Sequence, residues 1–380
     1  MELSDQDFLR LNVLLSNPIE AIRVDEQNMT VYGLYGDQEA KVKLNPTGRA
    51  EQYLRSVREL LSGHVLGSPG GYPAFLQRWT RMGQARDARL AELLMLGEPE
   101  AVVAVAGATG LTDELARRAW WALPTADIAR CMLERECVVN GLMGKVLAEY
   151  LVEYLPFETE PLPVIATVRL VLQPGLVDDE VRRRIWEKGR HKNIYQIGFL
   201  EATPDVLPDQ MPARADLAQY LSVLESLAHA GNDYALRMLR LLGKSGQSFM
   251  AVSERILRKP GTQEAAICLM NAVGRFFRGA MSLDEPPRDM DAAVASAHQQ
   301  IRDALQPAPD DRPLATMVHS LSSLQQEIIA LLALAQVSES LLDPIFSHTT
   351  AVGTVMNKKM EPLVSSILKQ YAVLRGEVSG

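Results

Sequence analysis

The sequence predicts a mainly α-helical protein, in which a HEAT-like array of helical hairpins follows a small N-terminal antiparallel β module. Three observations predict it. Apolar residues recur at helical three- and four-residue spacing through nearly all of residues 84–280. An alternating period of two is confined to residues 22–44. One segment also repeats. Gly110-Leu111-Thr112-Asp113-Glu114-Leu115-Ala116-Arg117-Arg118-Ala119-Trp120 resembles Gly175-Leu176-Val177-Asp178-Asp179-Glu180-Val181-Arg182-Arg183-Arg184-Ile185-Trp186, at a shift of 65 residues that becomes 66 after one inserted Asp. A shift of that size holds two helical hairpins, and stacked hairpins bury one continuous core. Aromatics are only 6% of the chain while Ala and Leu dominate its apolar set, a bias toward helix over sheet.

In chain order, Phe8, Leu11, Leu14 and Leu15 mark a short helix that stops before Asn17-Pro18. Ile22 and Val24, then Met29 and Val31, then Ala40, Val42 and Leu44 alternate with polar neighbours. They predict three short antiparallel strands, with turns at Glu26-Gln27-Asn28 and Gly36-Asp37 and a close at Asn45-Pro46. Residues 49–62 read as a helix. A glycine-rich loop from Gly63 to Pro73 follows, and after it a basic stretch with Arg78, Trp79, Arg81, Arg86 and Arg89. Within the array, Thr112, Asp178, Asn232 and Thr262 are placed to cap helices. Apolar helices start at Glu98-Pro99 and Glu160-Pro161. Met143, Val146, Leu147, Tyr150, Leu151 and Tyr154 form one stripe, and Leu217, Tyr220, Leu221, Leu224 and Leu227 another.

The acidic proline runs at 284–287 and 307–311 bracket a helix from Ala292 to Leu305 and read as a connector. Beyond it, Leu314, Met317, Leu321, Leu324, Ile328, Leu331 and Ala335 form a heptad. Val364, Ile367, Leu368, Tyr371 and Leu374 mark a last helix. An antiparallel pair within the chain and a homodimer seam both remain open for these two. The expected domains are 1–75, 76–281, 282–313 and 314–380.

The residue pattern also limits the chemistry. A net charge of -8 argues against a general binder of nucleic acid or anionic membranes, though not against a local basic patch. No stretch of 18 apolar residues suggests a membrane span. Three cysteines in a chain this long read as reduced thiols, and the opening residues Met1 to Asp7 lack the basic and apolar runs of a signal peptide. The expectation is a cytoplasmic protein. The six histidines are scattered, and Cys131 and Cys137 are spaced unlike zinc or redox pairs, so neither metal nor cofactor is expected. Gly243-Lys244-Ser245 is not a phosphate loop, because Met238 stands where its first glycine belongs and a helical pattern precedes it. No Ser/His/Asp set, paired-carboxylate motif, dinucleotide fingerprint or kinase signature is present.

Three sets of residues remain as candidates. Cys131, beside Arg130 and one turn from Arg135, is either a core thiol or a stabilised thiolate for sulfur transfer. The amides of Gly70 and Gly71 with Arg78, Trp79 and Arg81 are either an anion or partner site or part of a connector. Arg182, Arg183 and Arg184, with Lys188 to Lys192, are suited to nucleic acid or an acidic partner. Pairing at i,i+4 with Asp178, Asp179, Glu180 and Glu187 would explain the same charges without a ligand. Trp120 and Trp186 read as core residues at matching positions of the repeat, and Trp121 as more exposed.

Several segments together resemble the DsrS family, soluble proteins encoded with dissimilatory sulfite reductase in sulfur-oxidising bacteria. They are residues 11–17, 21–25 and 57–62, the last running through the glycine loop to Tyr72-Pro73, then Arg78-Trp79-Thr80-Arg81-Met82-Gly83-Gln84 and Gly110 to Trp121. The likeness is densest in residues 8–155 and is that of a whole family, not of a catalytic motif. It implies an accessory or regulatory role in oxidative sulfur metabolism and brings no reaction, cofactor or site residue. With the repeat, it points to a non-catalytic scaffold for a protein partner of the sulfur-oxidation system. A carrier using a cysteine persulfide is the alternative.

Overall fold

A computed structural model describes residues 3–67, 89–279, 286–306, 312–347 and 353–377. The chain is mainly α-helical with one three-stranded antiparallel sheet near its N-terminus. It groups into two units, residues 1–157 with 173–177 and residues 158–172 with 178–380. The C-terminal helices thus share a unit with much of the expected array.

In the first unit, Ser4 caps α1 (Asp5–Leu15) by accepting from the Asp7 N–H. Strands β1 (Ala21–Asp25), β2 (Thr30–Tyr35) and β3 (Gln38–Lys43) pair in order, with Arg23 opposite Tyr32 and Val31 opposite Val42. Their alternation places Ile22, Val31 and Val42 on one face. There they join Leu11 and Leu14 of α1 and Tyr53, Val57 and Leu61 of α2 (Ala50–Leu66). The buried Asp7 carboxylate accepts from the Tyr53 hydroxyl and the Asn45 N–H, both at 2.7 Å. These bonds offset the desolvation of a charge inside the core.

Among the described residues, six α-helices follow in this unit: α3 (Leu90–Leu93), α4 (Pro99–Ala106), α5 (Asp113–Ala122), α6 (Ala126–Leu133), α7 (Glu136–Val139) and α8 (Leu142–Tyr154). Pro99 opens α4 behind Glu98, and Thr112 caps α5 by accepting from the Leu115 N–H. Helix α8 is capped by a distant residue, since Asp113 accepts from the N–H groups of Leu142 at 2.9 Å and Met143 at 3.0 Å. Gly141 permits this approach, because a Cβ there would lie 2.2 Å from the Asp113 carboxyl.

In the second unit, α9 (Pro161–Val171) packs on α11 (Asn193–Ala202), and α10 (Asp179–Lys188) lies against α11. Asp178 caps α10 by accepting from the Val181 N–H. Helices α12 (Leu217–His229) and α13 (Asp233–Leu242) form the next pair, with Asn232 capping α13. Then come α14 (Lys244–Arg258) and α15 (Gln263–Arg278), the latter capped by Thr262. The C-terminal part holds α16 (Met290–Ala304), α17 (Pro313–Ser320), α18 (Gln325–Leu334), α19 (Asp343–Phe346) and α20 (Gly353–Arg375).

The heptad from Leu314 to Ala335 is not one helix. The chain bends by 102° between α17 and α18. The break falls at Leu321, with φ -134° and ψ 53°. Ser320, Ser322 and Ser323, residues of low preference for helix interiors, flank it. Met317, Leu324, Ile328 and Leu331 of the heptad, and Ile367, Tyr371 and Leu374 of α20, are buried inside the chain. Most of both stripes is thus covered within the chain, while Leu368 stays partly exposed. Helix α20 packs on α14 and α18, where the Tyr371 and Ser253 hydroxyls share a hydrogen bond of 3.1 Å. Arg214 pairs with Asp216 at 2.5 Å and Glu327 at 2.8 Å and donates to the Val373 carbonyl, tying α12 to α18 and α20. Gly274 lets α15 approach Val337, whose carbonyl oxygen would lie 1.8 Å from an added Cβ. An open array, in which each hairpin touches only its neighbours, does not describe this end of the chain. Among the described residues, no single helix is long and apolar enough to cross a membrane.

Candidate functional site

Cys131 lies on α6 and is half-buried. Burial pushes its thiol above the usual cysteine range, against the opposing pull of Arg135. Both flanking arginines are engaged elsewhere. Arg130 pairs with Asp127 at 2.6 Å, and Arg135 donates to the Gly107 carbonyl. Desolvation thus works against the stabilised thiolate, the alternative to a core thiol at this position. Cys137 is exposed and donates to the Leu111 carbonyl at 3.0 Å. Burial, with help from the nearby Glu201 charge, pushes the Cys268 thiol up to about 11. Among the described residues, no group of three His, Cys, Asp or Glu side chains is placed to hold a metal ion. Gly70, Gly71, Arg78, Trp79 and Arg81 lie outside the described residues. Lys244 and Ser245 open α14 directly behind α13, so no strand precedes them.

The basic run on α10 is divided by its helix. Ile185 and Trp186 face the core, and the Trp186 ring meets Phe199 edge-on at 5.0 Å. Arg182 turns sideways, donating to the Thr203 hydroxyl at 2.9 Å and the Val206 carbonyl. Arg183 and Arg184 point into solvent with Lys188, and the turn that follows exposes Arg190, His191 and Lys192. The i,i+4 pairing that would neutralise them is not formed. Among the described residues, Arg183 and Arg184 make no ion pair, although Asp179 and Glu180 are one turn away. Among the described residues, Arg190 alone in this run has an acidic partner, Asp209 at 3.4 Å.

The first unit shows a second surface. Trp120 is half-buried, its ring edge-on to Tyr150 at 4.8 Å, and Tyr150 stacks on Tyr154 at 5.9 Å. Beside Trp120, the Arg23 guanidinium lies 4.7 Å from the Tyr32 ring and 4.9 Å from the Trp121 ring. Glu39 holds both members of this cluster, accepting from Arg23 and from the Trp121 indole at 3.1 Å each. A shallow hollow of about 490 Å³ is lined by these tryptophans with Pro124, Met143 and Val146. Leu142 is 87% exposed and Phe157 76%.

This flank was only partly visible in the sequence. Met143, Leu147 and Leu151 of the α8 stripe are buried, whereas Val146 and Tyr154 face water. At about 100° per residue, Val146, Tyr150 and Tyr154 lie beside the buried arc, so a stripe that wide carries more apolar surface than one packing partner covers.

Comparison of the chain with family models, with curated proteins and with solved structures finds no match in any of the three.

Proposed function

We propose that this chain is a non-catalytic helical binding protein that holds an acidic partner protein through the exposed basic face of α10 and the turn after it. One observation carries the reading. Arg183 and Arg184 are solvent-facing and free of internal carboxylates. Guanidinium groups so placed can take a partner's carboxylates in paired hydrogen bonds of fixed geometry. In a chain of net charge -8, a local cluster of cations directs an acidic surface to one place. The segmental likeness to the DsrS family supports setting this role in the cytoplasm, as an accessory or regulatory function of oxidative sulfur metabolism.

Nucleic acid is the second reading for the same cations. Trp186, the one indole of the segment, is buried and offers no ring to a base, which favours a protein partner. A persulfide carrier would need the Cys131 thiolate, and burial works against that form.

The test is quantitative recovery of bound material from nuclease-treated extracts of the native host grown on reduced sulfur compounds. Tagged wild-type protein is compared with an Arg183→Glu/Arg184→Glu variant. The expected result is an acidic protein near stoichiometric amount on the wild type, released by salt and lost from the variant. Equal recovery on both would overturn the assignment to this face, and material removed by nuclease would favour the second reading.

A further inference from the structure

We infer that the second unit carries a docking groove along α20 for an acidic amphipathic helix of a partner protein. The inference deepens the partner-binding reading and rests on it. The groove, about 650 Å³, runs between the C-terminal end of α14 and one side of α20. Its lining on α20 takes Thr354, Lys358, Glu361, Ser365, Leu368 and Ala372, a three-to-four spacing kept from residue 354 to residue 372. At 1.5 Å per residue that face is about 27 Å long. Helix α20 supplies the long wall and the end of α14 a short one, and a helix of about 18 residues matches the length of the long wall.

The chemistry of the walls selects the rod. The floor is apolar, formed by Leu257, Val364, Leu368 and Ala372, and of these Leu257 and Val364 are largely buried. The rim is basic, with Arg258 and Lys259 at the end of α14 and Lys358 and Lys369 on α20. Glu361 is the one carboxylate in the lining. Arg258 is paired with Glu254 at 2.7 Å, whereas Lys259, Lys358 and Lys369 have no carboxylate partner among the described residues. Four cations against one anion, in a chain of net charge -8, make this groove the complement of an acidic rim over an apolar stripe. The groove also adjoins the basic turn after α10, because the Asn193 amide donates to the Lys259 carbonyl at 2.7 Å. No aromatic ring lines it, so a stacked single strand of nucleic acid is the poorer fit.

Fluorescence anisotropy on the full-length chain tests this with synthetic probes of about 18 residues, the length of the groove face. One is an amphipathic helix with Leu at three-to-four spacing and Glu elsewhere. The others are its scrambled isomer, its Lys-for-Glu counterpart and a single-stranded oligonucleotide of matched length. The amphipathic acidic peptide is expected to bind alone, and more weakly as salt rises. Lys358→Glu/Lys369→Glu should weaken it about tenfold. Ser365→Trp, an exposed change that fills the trough without altering charge, should abolish it. Both variants must keep the helical circular dichroism of the wild type, and either one suffices if the other does not fold. Equal binding of the scrambled peptide, tighter binding of the oligonucleotide, or unchanged affinity in a folded groove variant would each overturn the groove. Arg183→Glu/Arg184→Glu is measured in parallel. If it loses the peptide while the groove variants do not, the α10 reading stands and the groove alone falls.

Discussion

The two copies of the repeated segment, α5 in the first unit and α10 in the second, have nearly the same local chemistry and opposite fates. Each begins with a capping side chain, Thr112 or Asp178, and continues with acidic residues in the first turn. Each then carries an arginine pair and a tryptophan. In α5 the arginines are consumed inside the protein. Arg117 bonds Glu114 at 2.9 Å and Glu20 at 2.6 Å, and Arg118 bonds Glu114 at 2.8 Å. Hydrogen bonds from Arg117, with Arg118 beside it, hold the Glu114 carboxyl down at about 2. Arg183 and Arg184 occupy the matching positions of α10 next to Glu180, yet make no such pair. Glu20, from the segment before β1, adds a second carboxylate to the α5 pair, and among the described residues Arg183 and Arg184 have no such partner. The tryptophans invert the pattern, with Trp120 left half in solvent and Trp186 sealed against Phe199. A local sequence specifies a helix and its start, while the partners that meet it decide which face becomes structure and which stays free for binding.

The largest expected effect separates the tryptophans. Trp186→Ala should cost about 3–5 kcal/mol in urea unfolding, as for other large-to-small changes at enclosed sites. Trp120→Ala, half-exposed, should cost about 1–2 kcal/mol. Trp186→Phe should cost far less than Trp186→Ala, because the buried Trp186 N–H has no partner to lose. Equal costs for the two alanine variants would break the comparison.

The aspartates come next. Asp113 caps α8, so Asp113→Ala should cost about 1–2 kcal/mol. Its counterpart Asp179 makes no capping bond among the described residues, and Asp179→Ala should cost only about 0.3–0.5 kcal/mol. Chemical denaturation of both variants checks the ratio.

A smaller and pH-dependent difference concerns the helix starts that precede the two copies. Burial pushes the Glu98 carboxyl up to about 7, against the opposing pull of Arg58, whose Nε lies 2.7 Å away. Glu160, at the matching acid-proline start, is exposed. The folded Glu98 carboxyl keeps its proton to higher pH than the unfolded one, ordinarily near 4.5. Its contribution to stability is therefore full below that value and is lost as pH rises through about 7. Melting curves across that window should show the wild type losing stability relative to Glu98→Gln. Glu160→Gln should follow the wild type.

The strands, the Thr112, Asp178, Asn232 and Thr262 caps and the two proline starts were legible because each depends on neighbours within a few residues. The bend at Leu321 was not, because a heptad records which residues are apolar and not whether the helix beneath them continues. The free state of Arg183 and Arg184 was also hidden, since the i,i+4 carboxylates that suggest pairing are present in both copies. The contacts that hold Arg117 and Arg118, from Glu114, Glu20 and the Gly36 carbonyl, appear only in the folded chain. The groove along α20 was hidden in the same way, because its rim joins Lys259 to lysines about 100 residues away in sequence, and such closure is set by packing alone.

The most direct measurement is thermal unfolding of two charge-reversed variants side by side, Arg117→Glu/Arg118→Glu and Arg183→Glu/Arg184→Glu. The first sets new carboxylates against Glu114 and Glu20, and its Tm should fall by several degrees, at roughly 2–4 °C for each kcal/mol lost. The second should melt with the wild type, because its arginines support nothing in the fold. A comparable fall in both would show that the α10 arginines are structural, and would contradict the assignment of that face to a partner.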